Sequence, residues 1–295
     1  MYRVFTRDEA MAAGISPAQL RSPRYRSISR GLYCPTSVLP SQAEVVAALM
    51  RKLPVAQFAC RETAAGRHGA VVPHSSEVHL GTAQRRTSTR PDVALHWYRS
   101  PPELTRVRGL TVTSPRQTFL DLAATLPFVD LLVLGDSLVH AEACTVDMFT
   151  GLDPGRRPGA ARAREVAALV RKGVESPYET RARLLIISCG LPEPEPNHPL
   201  RDATGRIVRR IDLGYEHYGI AVEYDGRDHI RREEQWHSDI ARREELDDDW
   251  KFIVLTSRDI HRKQAQTAER VHKALRARGY KGPFDPLGWR RHFAP

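Results

Sequence analysis

The run Arg209 to Leu213, followed after a short break by Ile220 to His229, constrains this chain more than any other stretch. Ile220, Val222 and Tyr224 alternate with Ala221, Glu223 and Asp225, the period of two that belongs to a strand with one apolar and one polar face. In the preceding run Val208, Arg210 and Asp212 share one side, and Ile207, Ile211 and Leu213 the other. The break Gly214 to Gly219 is short enough for a hairpin, and pairing its arms sets Asp212 beside Glu223, with Asp225 on the same face. Carboxylates brought together repel unless a cation stands among them, and an all-oxygen set suits a hard divalent ion such as Mg²⁺ (or Mn²⁺). The plainer alternative is the solvated face of a half-buried sheet.

Asp212, ten further residues, then Glu223-x-Asp225-Gly226-x-x-His229 resembles the C-terminal domain of actinobacterial proteins related to the very-short-patch-repair endonucleases, in the PD-(D/E)XK superfamily. Ser176-Pro177-Tyr178-Glu179-Thr180-Arg181, Gly190-Leu191-Pro192, Asp239, Arg242, Leu246 and Trp250 carry the likeness on both sides, over roughly residues 174 to 280. The resemblance implies a restriction-endonuclease-like αβββαβ core with Mg²⁺ (or Mn²⁺) as cofactor. It also implies metal-ligating and catalytic roles for Asp212 and Glu223, with Glu179 supplied by the first helix. Asp225 stands where that superfamily usually has lysine, so it is read as a holder of a second ion. His229 is read as a proton shuttle or a donor to phosphate, or as a structural histidine beside a turn. Glu179 has two readings too, because Ser176 and Glu179 form an S-x-x-E capping box by sequence.

Charge separates the two halves. The formal net charge is +10, and residues 1 to 110 carry 16 Lys+Arg against 7 Asp+Glu, so nearly all of the excess lies there. A polyanion is expected to meet that part first. Thr6-Arg-Asp-Glu9 has the capping-box form before a short helix ending at Gly14, and Ser16-Pro17 starts a second helix. Tyr25 to Tyr33 reads as two strands about a turn. Helix, turn, helix and basic hairpin is the layout of a winged helix-turn-helix, and its order and its Arg30-Gly31-Leu32-Tyr33 ending resemble the N-terminal domain of AbiEi-type antitoxins. Arg61 to Ala65, Glu77 to Leu80 and Thr113 to Ala123 resemble the mixed α/β middle region of those proteins. Arg21, Arg24, Arg26 and Arg30, with Arg85, Arg86 and Arg90 of a turn-rich segment, are the expected DNA contacts; the alternative is an exposed, solvated set of arginines.

The 295 residues, 41% hydrophobic and 27% charged, suit a two-domain α+β globular protein. The expected divisions are 1–35 winged helix-turn-helix, 36–150 middle region, 151–173 linker and connecting helix, and 174–295 nuclease-like domain. Cys34, Cys60, Cys144 and Cys189 are too scattered for a zinc site or a disulfide framework. Asp121, Pro127 and Asp130 interrupt the most apolar window and no basic-then-apolar leader opens the chain, so a cytoplasmic protein without membrane contact is expected. The leading expectation is a DNA-binding, metal-dependent endonuclease of repair, restriction or phage defence. Its rival is a transcriptional regulator or antitoxin with an inactive nuclease-like domain and a toxin or other protein as partner.

Overall fold

The computed structural model of the chain describes residues 2–201, 204–226 and 250–293; His229 and the charged helix expected over 233–247 lie outside them. The fold is mixed α+β and divides into two units, Met1–Leu126 with Asp153–Ala163, and Pro127–Leu152 with Arg164–Pro295. Among the described residues no helix is long and apolar enough to cross a membrane.

The first unit begins with β1 (Phe5–Thr6), α1 (Arg7–Ala12), α2 (Pro17–Leu20), β2 (Tyr25–Ser29), β3 (Leu32–Pro35) and α3 (Gln42–Lys52). Reciprocal capping boxes, Thr6 with Glu9, Ser16 with Gln19 and Ser41 with Glu44, start the three helices and satisfy backbone N–H groups that have no partner inside a helix. The small sheet has the order β1-β3-β2, and Gly31, at φ +75°, makes the turn between β2 and β3. Phe5, Ala10 and Leu20 pack beneath it. A second sheet, order β6-β5-β4-β8-β7, combines β4 (Phe58–Ala59), β5 (Val78–Thr82), β6 (Val93–Trp97), β7 (Leu104–Val107) and β8 (Leu110–Thr113). Between these strands the chain forms α4 (Arg61–Arg67), and after them α5 (Pro115–Leu122). Leu49 of α3 joins Leu80 and Val112 of the sheet in one core.

The second unit starts earlier than the expected boundary at residue 174. Helix α6 (Phe128–His140) is apolar on nearly every side and buries Val129, Leu131, Leu132, Val133, Leu134 and Leu138. Its one buried carboxylate, Asp136, accepts from Arg183 Nη2 at 3.0 Å, from Thr180 Oγ1 at 2.9 Å and from the Arg171 backbone N–H at 2.9 Å. A helix that buries both its apolar surface and its acid against the following helices belongs with them. The stretch expected as a linker is no free tether either. Arg162 donates to the carbonyls of Ala123 and Leu126 at 3.2 and 2.5 Å, and a Cβ on Gly159 would stand 2.4 Å from the Ala123 oxygen. That close approach is why only glycine fits there.

Helices α7 (Ala160–Ala167) and α8 (Pro177–Ser188) precede the sheet of this unit, which has the order β12-β11-β10-β9. Its strands are β9 (Glu195–Arg201), β10 (Ile207–Tyr215), β11 (Ile220–Tyr224) and β12 (Lys251–Leu255), and α9 (Ser257–His261) and α10 (Gln264–Ala277) follow. Pro196 and Pro199 are tolerated because β9 is an edge strand, where a missing N–H breaks no interior ladder. The β9–β10 and β10–β11 pairs are antiparallel, and β11–β12 is parallel. One face of this sheet packs Leu213, Tyr215, Ile220, Val222, Ile253 and Leu255 against Ala182 and Ile186 of α8 and Val271 and Leu275 of α10.

Arg183 is fully buried and also donates to Glu193 at 2.7 Å, so it depends on acidic partners for the hydration it has lost. Asp136→Ala strands that cation and is expected to cost about 3–5 kcal/mol of stability in the full chain, read by urea unfolding. Replacing both partners, Asp136→Leu with Arg183→Met, should recover most of the loss.

Candidate functional site

The site lies where β10 and β11 part. Leu213 pairs with Val222 and Tyr215 with Ile220, and these four share the main core. Ile211 instead packs with Leu200 and Ala221, in a second small cluster. Residues two apart that feed different clusters cannot share one face of a regular strand, so β10 turns over at Asp212. The expected grouping of Ile211 with Leu213 is thereby corrected. Past Leu213 the pairing changes character: the Tyr224 backbone N–H donates at 2.8 Å to the Asp212 side chain (Oδ2) rather than to a carbonyl. Asp212 thus uses one carboxylate oxygen to hold the edge of the opening.

Turning the strand over changes which arginine meets Glu223. Arg209, not Arg210, reaches it, with Nη2 at 2.6 and 2.8 Å from the two carboxylate oxygens, and its guanidinium carbon lies 5.3 Å from the centre of the Phe252 ring. Arg210 donates to the carbonyl of Asn197 at 3.2 Å. Glu223 stands opposite the apolar face formed by Val222 and Tyr224, as the alternation requires, but it is neutralised by a neighbour that the motif does not mention.

Glu179 comes from the first turn of α8. Ser176 caps that helix by accepting from the Glu179 N–H at 3.2 Å. The Glu179 carboxylate accepts from the backbone N–H of Glu175 at 2.8 Å, not from the Ser176 backbone N–H that a reciprocal capping box would use, and the Ser176 side chain also bonds to it. Glu179 is only 8% exposed, and burial pushes its pKa up to about 7 against the hydrogen bonds that its carboxylate accepts from the Glu175 N–H and the Ser176 side chain, with the charges of Asp212 and Glu175 pushing the same way as burial. Burial raises the pKa of Asp212 as well, opposed by the Tyr224 N–H and by Arg209 and assisted by Glu175. Glu175, which accepts from Asn197 Nδ2 at 2.8 Å, is therefore a third carboxylate of the neighbourhood. Asn197 has a left-handed backbone, φ +52°, beside the point where β10 turns over. Tyr178 stacks on Tyr224 at 4.2 Å and fixes α8 against β11.

Of the expected site residues, Asp212 and Glu179 are brought within each other's field and Glu223 is held to Arg209. Asp225 lies half-buried just beyond β11, its N–H bonded to the Leu255 carbonyl at 2.8 Å, and His229 is outside the described residues. Among the described residues no three His, Cys, Asp or Glu side chains stand together as a metal-holding set. Glu175 and Arg209 were missed from sequence. Glu175 precedes the cap by one residue and resembles any charge before a helix, and Arg209 could be matched to Glu223 only once the turn-over at Asp212 was known.

In the first unit Arg21, Arg24, Arg26, Arg30, Arg85 and Arg86 are exposed, and Arg26 donates to the Val38 carbonyl at 2.9 Å. Arg90, expected among the DNA contacts, is turned inward. Its side chain is 8% exposed and donates to Asp92 at 3.0 and 2.8 Å and to the Arg30 carbonyl at 2.6 Å. Ser29 completes this network, accepting from Arg90 and donating to Asp92. Arg90 clamps the β5–β6 loop to the β2–β3 turn, so its guanidinium is engaged within the fold.

No family model matches the chain. It is similar to an uncharacterised protein of Mycobacterium tuberculosis in the strains CDC 1551 / Oshkosh and H37Rv, 28% identical over 228 residues in each case, covering 74% of this chain and 80% of the relative.

A carboxyl whose folded pKa is raised to about 7 holds its proton more tightly in the folded than in the unfolded state. The stability this lends is present below the ordinary carboxylate range and is lost as pH rises toward 7. Glu179→Gln removes the charge and is expected to raise the melting temperature at pH 8 by roughly 2–4 °C, the worth of about 1 kcal/mol in a domain of this size. At pH 4 the change should be slight. Thermal melts of the two proteins across pH check both the direction and the window.

Proposed function

We propose that the chain acts on DNA, with the basic first unit binding the polyanion and the second unit carrying a phosphodiester-hydrolysing site of the restriction-endonuclease-like kind around Asp212 and Glu179. The observation that carries this reading is the convergence of two mutually repelling carboxylates, the buried Glu179 of α8 and the half-buried Asp212 of β10, at the point where two strands separate. Such a pair is costly without a cation and accounts for itself with one. The order helix, three antiparallel strands, then a strand parallel to the third supports the restriction-endonuclease-like core, and two short capped helices before the β2–β3 hairpin support a reduced winged helix. Helix α2 has four residues, which suits backbone contact by Arg21, Arg24 and Arg30 better than a base-reading helix.

Asp212 and Glu179 would hold Mg²⁺ or Mn²⁺, which when bound supplies Lewis acidity toward phosphate and lowers the pKa of its water. Each of these carboxylates has one oxygen engaged by a backbone N–H, Tyr224 on Asp212 and Glu175 on Glu179, which fixes its orientation. Glu223 joins them only by leaving Arg209, and an arginine so released is a bidentate donor suited to a phosphate. The Arg209–Glu223 pair is also the one observation that favours a second reading, a DNA-binding regulator whose nuclease-like domain is inactive and serves a toxin or other protein partner.

Plasmid incubation separates the two. Under the first reading the full chain nicks or linearises DNA with Mg²⁺ or Mn²⁺ and not with EDTA. Asp212→Asn and Glu179→Gln are each expected to lower that rate at least about 100-fold, by analogy with other losses of transition-state charge stabilisation, while metal-free DNA binding survives. Binding without divalent-dependent cleavage of duplex, nicked or single-stranded DNA gives the regulator its place.

A further inference from the structure

Strand β6 is an edge of the five-stranded sheet, and its last residue, Trp97, is 46% exposed. Its position is well fixed. Trp97 pairs with Thr82 at the end of β5, and the next residue, Tyr98, turns inward, packing edge-on against Phe58 with ring centres 5.2 Å apart and donating its hydroxyl to Asp121. The β5–β6 loop leaves from Thr82 and brings the Arg85 guanidinium to 5.7 Å from the centre of the Trp97 ring. The far end of that loop is anchored by the Arg90 clamp. Arg86 and Arg99 are exposed on either side in sequence.

An indole at a strand end, with the Arg85 guanidinium by its ring and further exposed arginines next to both in sequence, has the two components of a single-strand site. The aromatic offers a face to a base, and the cations meet the phosphates that link it to its neighbours. A duplex keeps its base faces inside its own stack and cannot use the indole, whereas the exposed arginines serve either form. We propose that Trp97, with Arg85 and Arg86, is a stacking platform for an unpaired base of a DNA strand. The proposal rests on the reading of the first unit as DNA-binding and adds to it a preference for unpaired segments, which the arginines alone do not impose.

The test uses the full chain and fluorescence anisotropy with a thymidine oligonucleotide of about 15 nucleotides and a duplex of equal length. Trp97→Ala is expected to weaken oligonucleotide binding about 5- to 150-fold, the range found for losing one base–aromatic stack, and to leave duplex affinity within about twofold. Trp97→Phe keeps a stacking face and should retain most of the affinity, which guards against a folding defect in the alanine variant. Duplex binding with an oligonucleotide affinity unmoved by Trp97→Ala overturns the platform and leaves the DNA-binding reading standing. Wild-type protein that binds neither form overturns both.

Discussion

The hydrogen bond from the Tyr224 N–H to the Asp212 carboxylate is the interaction on which the second unit's site depends. It stands in for a rung of the β10–β11 ladder, so the strands separate without leaving a buried donor orphaned, a loss that would cost about 1–3 kcal/mol. The same change turns β10 over, sending Ile211 to one cluster and Leu213 to the other. It also leaves Asp212 half-buried beside Glu179, where each charge raises the cost of the other. The electrostatic tension of the site is therefore a consequence of how two strands part, and Arg209 eases it at Asp212 by its charge and at Glu223 by direct pairing.

Buried ion pairs elsewhere fix arrangement more than they add stability. Asp136 and Arg183 register α6 against α8, and the Glu193 contact extends that network toward the start of β9. In the first unit Arg90 does comparable work with Asp92, Ser29 and the Arg30 carbonyl, holding the basic loop to the basic turn. Arginine suits both places because its planar fork satisfies several acceptors at once. One arginine spent inside the fold thus positions others, among them Arg85 and Arg86, on its surface.

Periodicity made the strands of the second unit legible. Val222 and Tyr224 face the main core as their alternation with Glu223 required. A capping pattern located α1 because Thr6 with Glu9 is local and leaves its mark within four residues. Three things were not legible, each for a reason of distance. The turn-over at Asp212 depends on packing against β9 and β12. The withdrawal of Arg90 depends on Asp92 meeting a turn some sixty residues earlier. The membership of α6 depends on one buried acid finding Arg183, 47 residues later. A basic run reads alike whether its arginines face solvent or close a fold.

Whether the carboxylates of Asp212 and Glu179 exist to hold a cation is most directly measured by diffraction from crystals of the full chain soaked in Mn²⁺, using the anomalous signal of the metal. A peak within ligating distance of both Asp212 and Glu179, with Arg209 displaced from Glu223, is the expected result. Density that leaves the Arg209–Glu223 pair intact, with no anomalous peak between Asp212 and Glu179, would contradict it.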